Sequence, residues 1–202
     1  MKKYIGLVLV AMSGCILTVN AQQSFSYKNP LLPTELRVND LLGRMTLEEK
    51  IAQIRHLHSW DVFDGQILNQ EKLDKMCGGI GYGFFEGFPL TAASCRKTFR
   101  EIQTYMVEKT RLGIPGFPVA ESLHGVVHEG TTIYPQNIAM GSTFNPELAY
   151  EKTKHIAGEL NTMGVKQVLA PCIDVVRDLR WGRVEETFGE DPFLIGEMGT
   201  AF

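Results

Sequence analysis

An α/β fold with a parallel sheet is what this sequence predicts, on three observations. Apolar runs at residues 78–85, 117–121 and 167–175 read as strands. Each is followed by helix signals, over about 91–112, over 146–163, and from Asp191-Pro192 onward. The third run then gives way to Arg177, Asp178, Arg180, Trp181 and Arg183. Strand and helix alternating three times imply parallel pairing with right-handed crossovers. Charged and aromatic groups just past the end of a buried parallel strand are where α/β barrels keep their working residues. A closed barrel needs eight strand–helix units. The expectation is therefore a partial TIM-type (β/α)8 barrel, its first three strand–helix units only, as the front part of a longer chain.

Taken in order, the chain opens with Met1-Lys2-Lys3, an apolar run from Tyr4 to Val19, and Ala21. That is the layout of a secretory signal peptide over residues 1–21, which predicts a secreted or periplasmic protein. A membrane-anchored helix is the competing reading, but the run is short for a span and holds Ser13 and Gly14. Met12-Ser13-Gly14-Cys15 also passes as a loose lipobox, and in that alternative Cys15 is acylated and anchors the chain to a membrane. Residues 22–33 are polar with two prolines and read as an extended leader, with the barrel part spanning 34–202.

Two short helices are expected next, over 37–45 and 46–57. Thr46-Leu47-Glu48-Glu49 is a capping box, in which the Thr hydroxyl takes an orphan N–H and Glu49 reaches back. Leu47, Ile51 and Ile54 form an apolar stripe at helical spacing, which predicts packing. The run Gly-Gly-Ile-Gly-Tyr-Gly at 78–83 superficially resembles a phosphate cradle, but no Lys-Ser/Thr follows and the next helix begins too late. At 145–146 Asn is placed as an N-cap with Pro at the first helical position. In the third run Val168, Leu169 and Ala170 look fully buried.

Composition narrows the function. The formal net charge is −3 with five histidines, which argues against a nucleic-acid partner. Outside the first 21 residues there are three cysteines, Cys77, Cys95 and Cys172. That odd count is no disulfide framework, and whether Cys77 and Cys95 pair stays open. Cys172 reads as a small core residue. No CxxC is present, so a cysteine-built zinc site is not expected. His124 and His128 lie four apart, but Gly125 and Val126-Val127 disfavour a helix and the order is not HExxH. Neither a metal nor another cofactor is expected.

The run RDLRWGRVEETFGEDP at 177–192, with APCIDVVRD before it, closely resembles the signature of family 3 glycoside hydrolases, usually RDPRWGRxxExxGEDP. The resemblance continues backward through residues 131–149, Glu121-Ser122-Leu123-His124-Gly125-Val126 and residues 37–54. Leu179 departs from it, standing where the family commonly has Pro. It implies an enzyme that hydrolyses terminal non-reducing β-linked sugars from oligosaccharides or glycosides, β-glucosidase first and β-xylosidase as the alternative. A non-catalytic carbohydrate-binding module is a further reading, and a metallohydrolase built on His124 and His128 a third. The family's retaining mechanism uses two carboxylates about 5 Å apart, and no motif matches the family's nucleophile, its acid or its Lys-His pair. No catalytic residue is therefore assigned to this chain, and by itself it is expected to be inactive.

The resemblance implies sugar contacts from Glu121 and Arg180. A carboxylate can accept hydrogen bonds from adjacent hydroxyls, and a guanidinium offers a planar fork of donors. Many glucosidases of the family have Asp at the Glu121 position, and the longer side chain points toward a pentose such as xylose. His124 is expected to orient Glu121 or line the pocket. Trp181 is read equally as a sugar platform or a loop buttress. Arg177, Asp178 and Arg183 are expected as an ion-pair scaffold around Arg180, and Asp174 as structural.

Overall fold

A computed structural model describes residues 26–87 and 91–202. The leader assigned to residues 1–21, with Cys15, lies outside them. Among the described residues no helix is long and apolar enough to cross a membrane. Contacts divide the chain into a unit ending at Arg44 and a second from Met45 to Phe202.

In the first unit Ser26–Lys28 is a 3-10 turn where an extended leader was expected, and α1 runs Thr34–Arg44. Asp40 accepts from the Tyr27 N–H at 3.0 Å, which secures the turn to α1.

The second unit starts at α2 (Leu47–Gln53), capped by Thr46 and Glu49 in the expected box. Glu49 is buried and also pairs with Arg111, whose Nε lies 2.7 Å from Oε1. The Leu47, Ile51 and Ile54 stripe does not pack: all three are exposed, and Ala52 is the buried apolar position. The buried face of α2 is instead that of Glu49 and Ala52, three apart on the helix, with Glu49 held by Arg111.

The helix gives way to a strand that the sequence reading placed inside it. β1 is His56–His58, followed by α3 (Ser59–Val62), a β2–β3 hairpin (Phe63–Asp64 with Ile67–Leu68) and α4 (Gln70–Cys77). The glycine run after α4 is mostly turn, with Gly78, Gly79 and Gly81 at positive φ, and β4 is only Phe84–Glu86. Then come α5 (Ala92–Lys109), β5 (Phe117–Ala120), α6 (Asn137–Gly141), α7 (Pro146–Met163), β6 (Gln167–Val168) and α8 (Pro192–Ala201). The Asn145 cap with Pro146 and the Asp191 cap with Pro192 form as expected, each side chain accepting from a backbone N–H of the first turn.

The main sheet is parallel, in the order β1-β4-β5-β6. It thus holds four strands, one more than expected, in the α/β arrangement of an opened barrel. Cα partners are His58↔Glu86 and Glu86↔Val119. Side chains alternate faces along a strand, so Leu57 and Phe85, both fully buried, lie on the helix-facing side of the sheet. They join Phe99, Ile102, Met106, Ile156 and Leu160 in the larger core. His56, His58, Phe84, Glu86 and Val119 occupy the opposite, inner face.

β6 is far shorter than the expected 167–175 strand. Leu169 N–H still donates to Ala120 O at 3.1 Å, but Pro171 has no N–H to give and Leu169 and Ile173 are exposed. With β5 on one side and no described strand on the other, only two residues keep ladder geometry. Cys172 is buried, as expected, and Asp174 accepts from its thiol at 3.2 Å. Cys77 and Cys95 are buried free thiols, their pKa values pushed up by burial to about 12 and about 11.

Candidate functional site

Parallel pairing brings the C-terminal ends of β1, β4 and β5 to one end of the sheet. A cavity of about 420 Å³ opens there, within the range of small-molecule sites. His58 and Trp60 line it from the β1 end, Glu86 from β4, and Glu121 and His124 from the segment after β5. Its back wall is apolar, with Phe99, Val119 and Met163.

Two rows of side chains build the inner face toward that cavity. His56 stacks on Phe84 with ring centroids 5.0 Å apart, and Phe84 on Phe117 at 5.9 Å. One row up, Glu86 stands between two imidazoles: Oε2 lies 3.1 Å from His56 Nδ1 and Oε1 lies 3.2 Å from His58 Nδ1. Both contacts are at ion-pair distance, and both nitrogens are buried without a hydrogen bond among the described residues. Trp60 stacks flat on the His58 ring, 4.3 Å away with planes 8° apart.

The segment after β5 is shaped by close backbone approach. Gly125 has φ +102°, and a Cβ there would lie 2.3 Å from Thr132 O. Only glycine permits that crossing, which lets Tyr134 N–H donate to His124 O at 2.8 Å and closes the loop. Beneath it the ammonium of Lys152, a buried residue of α7, donates to Asn137 Oδ1 at 2.7 Å and to Leu123 O at 3.4 Å. Burial lowers its pKa to about 8. Ser122 is buried, and its Oγ, like His124 Nδ1, has no hydrogen-bond partner among the described residues. Two buried polar atoms without protein partners at a cavity wall suit a polar ligand.

Glu121 is open to solvent at the mouth. Partial desolvation raises its pKa, the Glu86 charge raises it further, and the Arg183 guanidinium pulls the other way.

Of the residues singled out in the sequence, Glu121 and His124 share this cavity, whereas Arg180 and Trp181 are not among its lining. The Arg180 side chain is 91% exposed and folds back on Asp178, with Nε 3.0 Å from Oδ1 and Nη2 2.5 Å from Oδ2. Arg183 pairs with Glu186, Nε to Oε2 at 2.9 Å. The expected scaffold is thus two local ion pairs, and among the described residues it is Asp178 that holds Arg180. The guanidinium whose charge reaches Glu121 is that of Arg183. Sequence reasoning missed His56, His58, Trp60 and Glu86; the usable signal was the alternation His-Leu-His beside Phe-Phe-Glu, polar ends around a buried centre. Among the described residues no cluster of three or more metal-ligating side chains occurs.

Comparison with known proteins gives the cavity a context. Residues 46–202 match the model of the glycosyl hydrolase family 3 N terminal domain. A putative beta-xylosidase of Formosa agariphila is 34% identical over 181 residues, covering 87% of this chain and 24% of that protein. The periplasmic beta-glucosidase of Salmonella typhimurium is 31% identical over 199 residues, 98% of this chain and 24% of that protein. Among solved structures, a β-glucosidase from Erythrobacter marinus superposes with a TM-score of 0.75 at 30% identity, covering 89% of this chain and 24% of that one. The chain spans about a quarter of the length of the relatives it matches.

Proposed function

The chain belongs to the family 3 glycoside hydrolases, through their N-terminal domain, and from that premise we propose that its cavity receives the terminal non-reducing sugar of a β-linked oligosaccharide or glycoside, whose glycosidic bond the full-length protein hydrolyses. The observation that carries this reading is the placement of Glu121 and His124 together at the C-terminal end of a parallel sheet, on a cavity of sugar size. Glu121 accepts hydrogen bonds from the sugar's hydroxyls, and His124 and Ser122 line the wall beside it. For Arg180 and Trp181 a sugar contact rests on the motif alone, since neither lines the cavity. The reaction is a retaining hydrolysis by two carboxylates, and we assign neither the nucleophile nor the acid to this chain.

Glucose is the first expectation for the sugar, in keeping with the β-glucosidases among the relatives and solved structures. A second reading, xylose, is favoured by Glu121. Its carboxylate is one methylene longer than that of Asp and takes more of the cavity, which favours the smaller pentose, and a relative at 34% identity is named a putative beta-xylosidase. We place the protein outside the cytoplasm on the strength of residues 1–21, with a lipid anchor at Cys15 as the alternative; N-terminal sequencing of the exported protein separates the two.

The test is hydrolysis of aryl β-glucoside and aryl β-xyloside by the full-length protein, with the released sugar's anomer followed by NMR. Retention on either substrate is expected, and the ratio of kcat/KM names the sugar. Sugar binding with no turnover on any β-glycoside would leave a carbohydrate-binding module instead.

A further inference from the structure

We propose that Glu86, set between His56 and His58, is a second sugar-hydroxyl acceptor in the cavity that holds Glu121, and that Trp60 is the stacking platform at its rim. The inference rests on the sugar-site reading above and adds residues to it.

Four observations converge on it. Glu86 lines the cavity, and its side chain is only 19% exposed. A carboxylate so placed needs partners, and each oxygen has a single imidazole in contact. An ionised carboxylate has about four acceptor sites. With one site on each oxygen facing a histidine, acceptor capacity remains toward the cavity.

The second observation concerns position. Glu86 pairs in register with Val119, and Glu121 stands two residues on, just past the end of β5. Both carboxylates line the one cavity, and the Glu86 charge registers at Glu121. Two acidic groups held near each other cost Coulomb energy in the free protein. Donors arriving from a ligand relieve that cost, and neutral polyhydroxylated rings bring donors without bringing negative charge.

The third is the aromatic surface. Trp60 lines the same cavity, is 69% exposed, and has one face covered by His58. A flat indole fixed in orientation by stacking, with solvent on its remaining surface, suits the apolar face of a pyranose. The fourth is the orphaned pair, Ser122 Oγ and His124 Nδ1, on residues that line the same cavity. Together they give the cavity acceptors, a platform and an apolar back, and among the described residues no lysine or arginine lines it.

The experiment is calorimetric titration of the full-length protein with phenyl 1-thio-β-D-xylopyranoside, phenyl 1-thio-β-D-glucopyranoside and their monodeoxy derivatives, none of which depends on turnover. Glu86→Gln keeps the shape and removes the charge, and a roughly tenfold or greater loss of affinity for the parent sugar is expected. That loss should disappear for one particular deoxy compound, whose missing hydroxyl identifies the group Glu86 holds. Glu121→Gln should lose a different hydroxyl. Trp60→Ala should weaken all compounds alike. Should Glu86→Gln fail to fold by circular dichroism, Glu86→Asp, which keeps the charge and retracts it, carries the same comparison.

Three results overturn the inference while leaving the functional reading intact: unchanged affinity in the Glu86 variants, an equal loss across the whole deoxy series, or a lost hydroxyl coinciding with that of Glu121. Absence of sugar binding by the unaltered protein overturns both. Binding with the expected deoxy pattern but no hydrolysis of aryl glycosides sinks the hydrolase reading and supports this one.

Discussion

Glu121 owes its properties to what surrounds it. Desolvation and the neighbouring Glu86 and Glu186 charges raise its pKa, and Arg183 restrains the rise. A carboxylate whose folded pKa is raised favours the folded state below its unfolded value and loses that advantage as pH climbs through the folded one. Glu121→Gln is therefore expected to gain slightly in thermal stability at pH 7, by on the order of a degree, and to lose the gain below about pH 4.5, where the unfolded carboxyl is also neutral. Sugar affinity should fall roughly tenfold or more in the same variant. In the unaltered protein affinity should fade on acidification at a higher pH than an ordinary carboxylate would give. Calorimetric titration between pH 4 and 8, beside melting curves, checks both signs. This residue was legible because its motif travels with it in sequence. Arg180 was placed beside it by motif too, but which guanidinium meets which carboxylate depends on loop geometry. Asp178, two residues away, takes Arg180 at little entropic cost.

At the scale of elements, local signals told well and pairing told poorly. The Thr46 box and the Asn145-Pro146 and Asp191-Pro192 starts involve atoms within three residues of one another, so sequence suffices to place them. β1 was absorbed into a helix because His-Leu-His is no apolar run, and its strand character comes from Phe84, 28 positions on. β6 was drawn too long because pairing, not hydrophobicity, ends it. The loop after β5 has its own anchor in Lys152, which joins α7 to Leu123 and Asn137. A lysine with its folded pKa lowered from 10.5 to about 8 binds fewer protons folded than unfolded between those values, so stability should rise with pH across that window. Urea midpoints from pH 7.5 to 10.5 are expected to show the rise in the unaltered protein and a flatter profile in Lys152→Met. The same variant should bind sugar severalfold more weakly, since Leu123 O and Asn137 Oδ1 lose their donor. An identical pH profile in the variant would remove Lys152 from that role.

For the whole molecule the pertinent fact is how much apolar and backbone surface the described residues leave open. β1 and β6 each have one neighbour in the main sheet, and unpaired strand edges are templates for association. Leu47 and Ile51 on α2 with Ile54 just past its end, Leu169 and Ile173 past β6, and Phe193 on α8 are all exposed. The fold class was readable from strand–helix alternation, but this exposure was not, because periodicity reports which residues want cover and says nothing of what covers them. These 202 residues are about a quarter of the relatives' length, and in those proteins further chain is available to lie against such a surface. Produced by themselves, residues 22–202 are therefore expected to self-associate at micromolar concentration and to release no aryl alcohol from β-glucosides or β-xylosides. Light scattering and a chromogenic assay measure the two independently. Ile51→Lys with Ile54→Lys should reduce association of the isolated chain, since it puts charge on the open α2 stripe. In the full-length protein the same pair should lower the melting temperature if further chain packs there. A monomeric isolated chain, indifferent to both substitutions, would show that these surfaces need no partner.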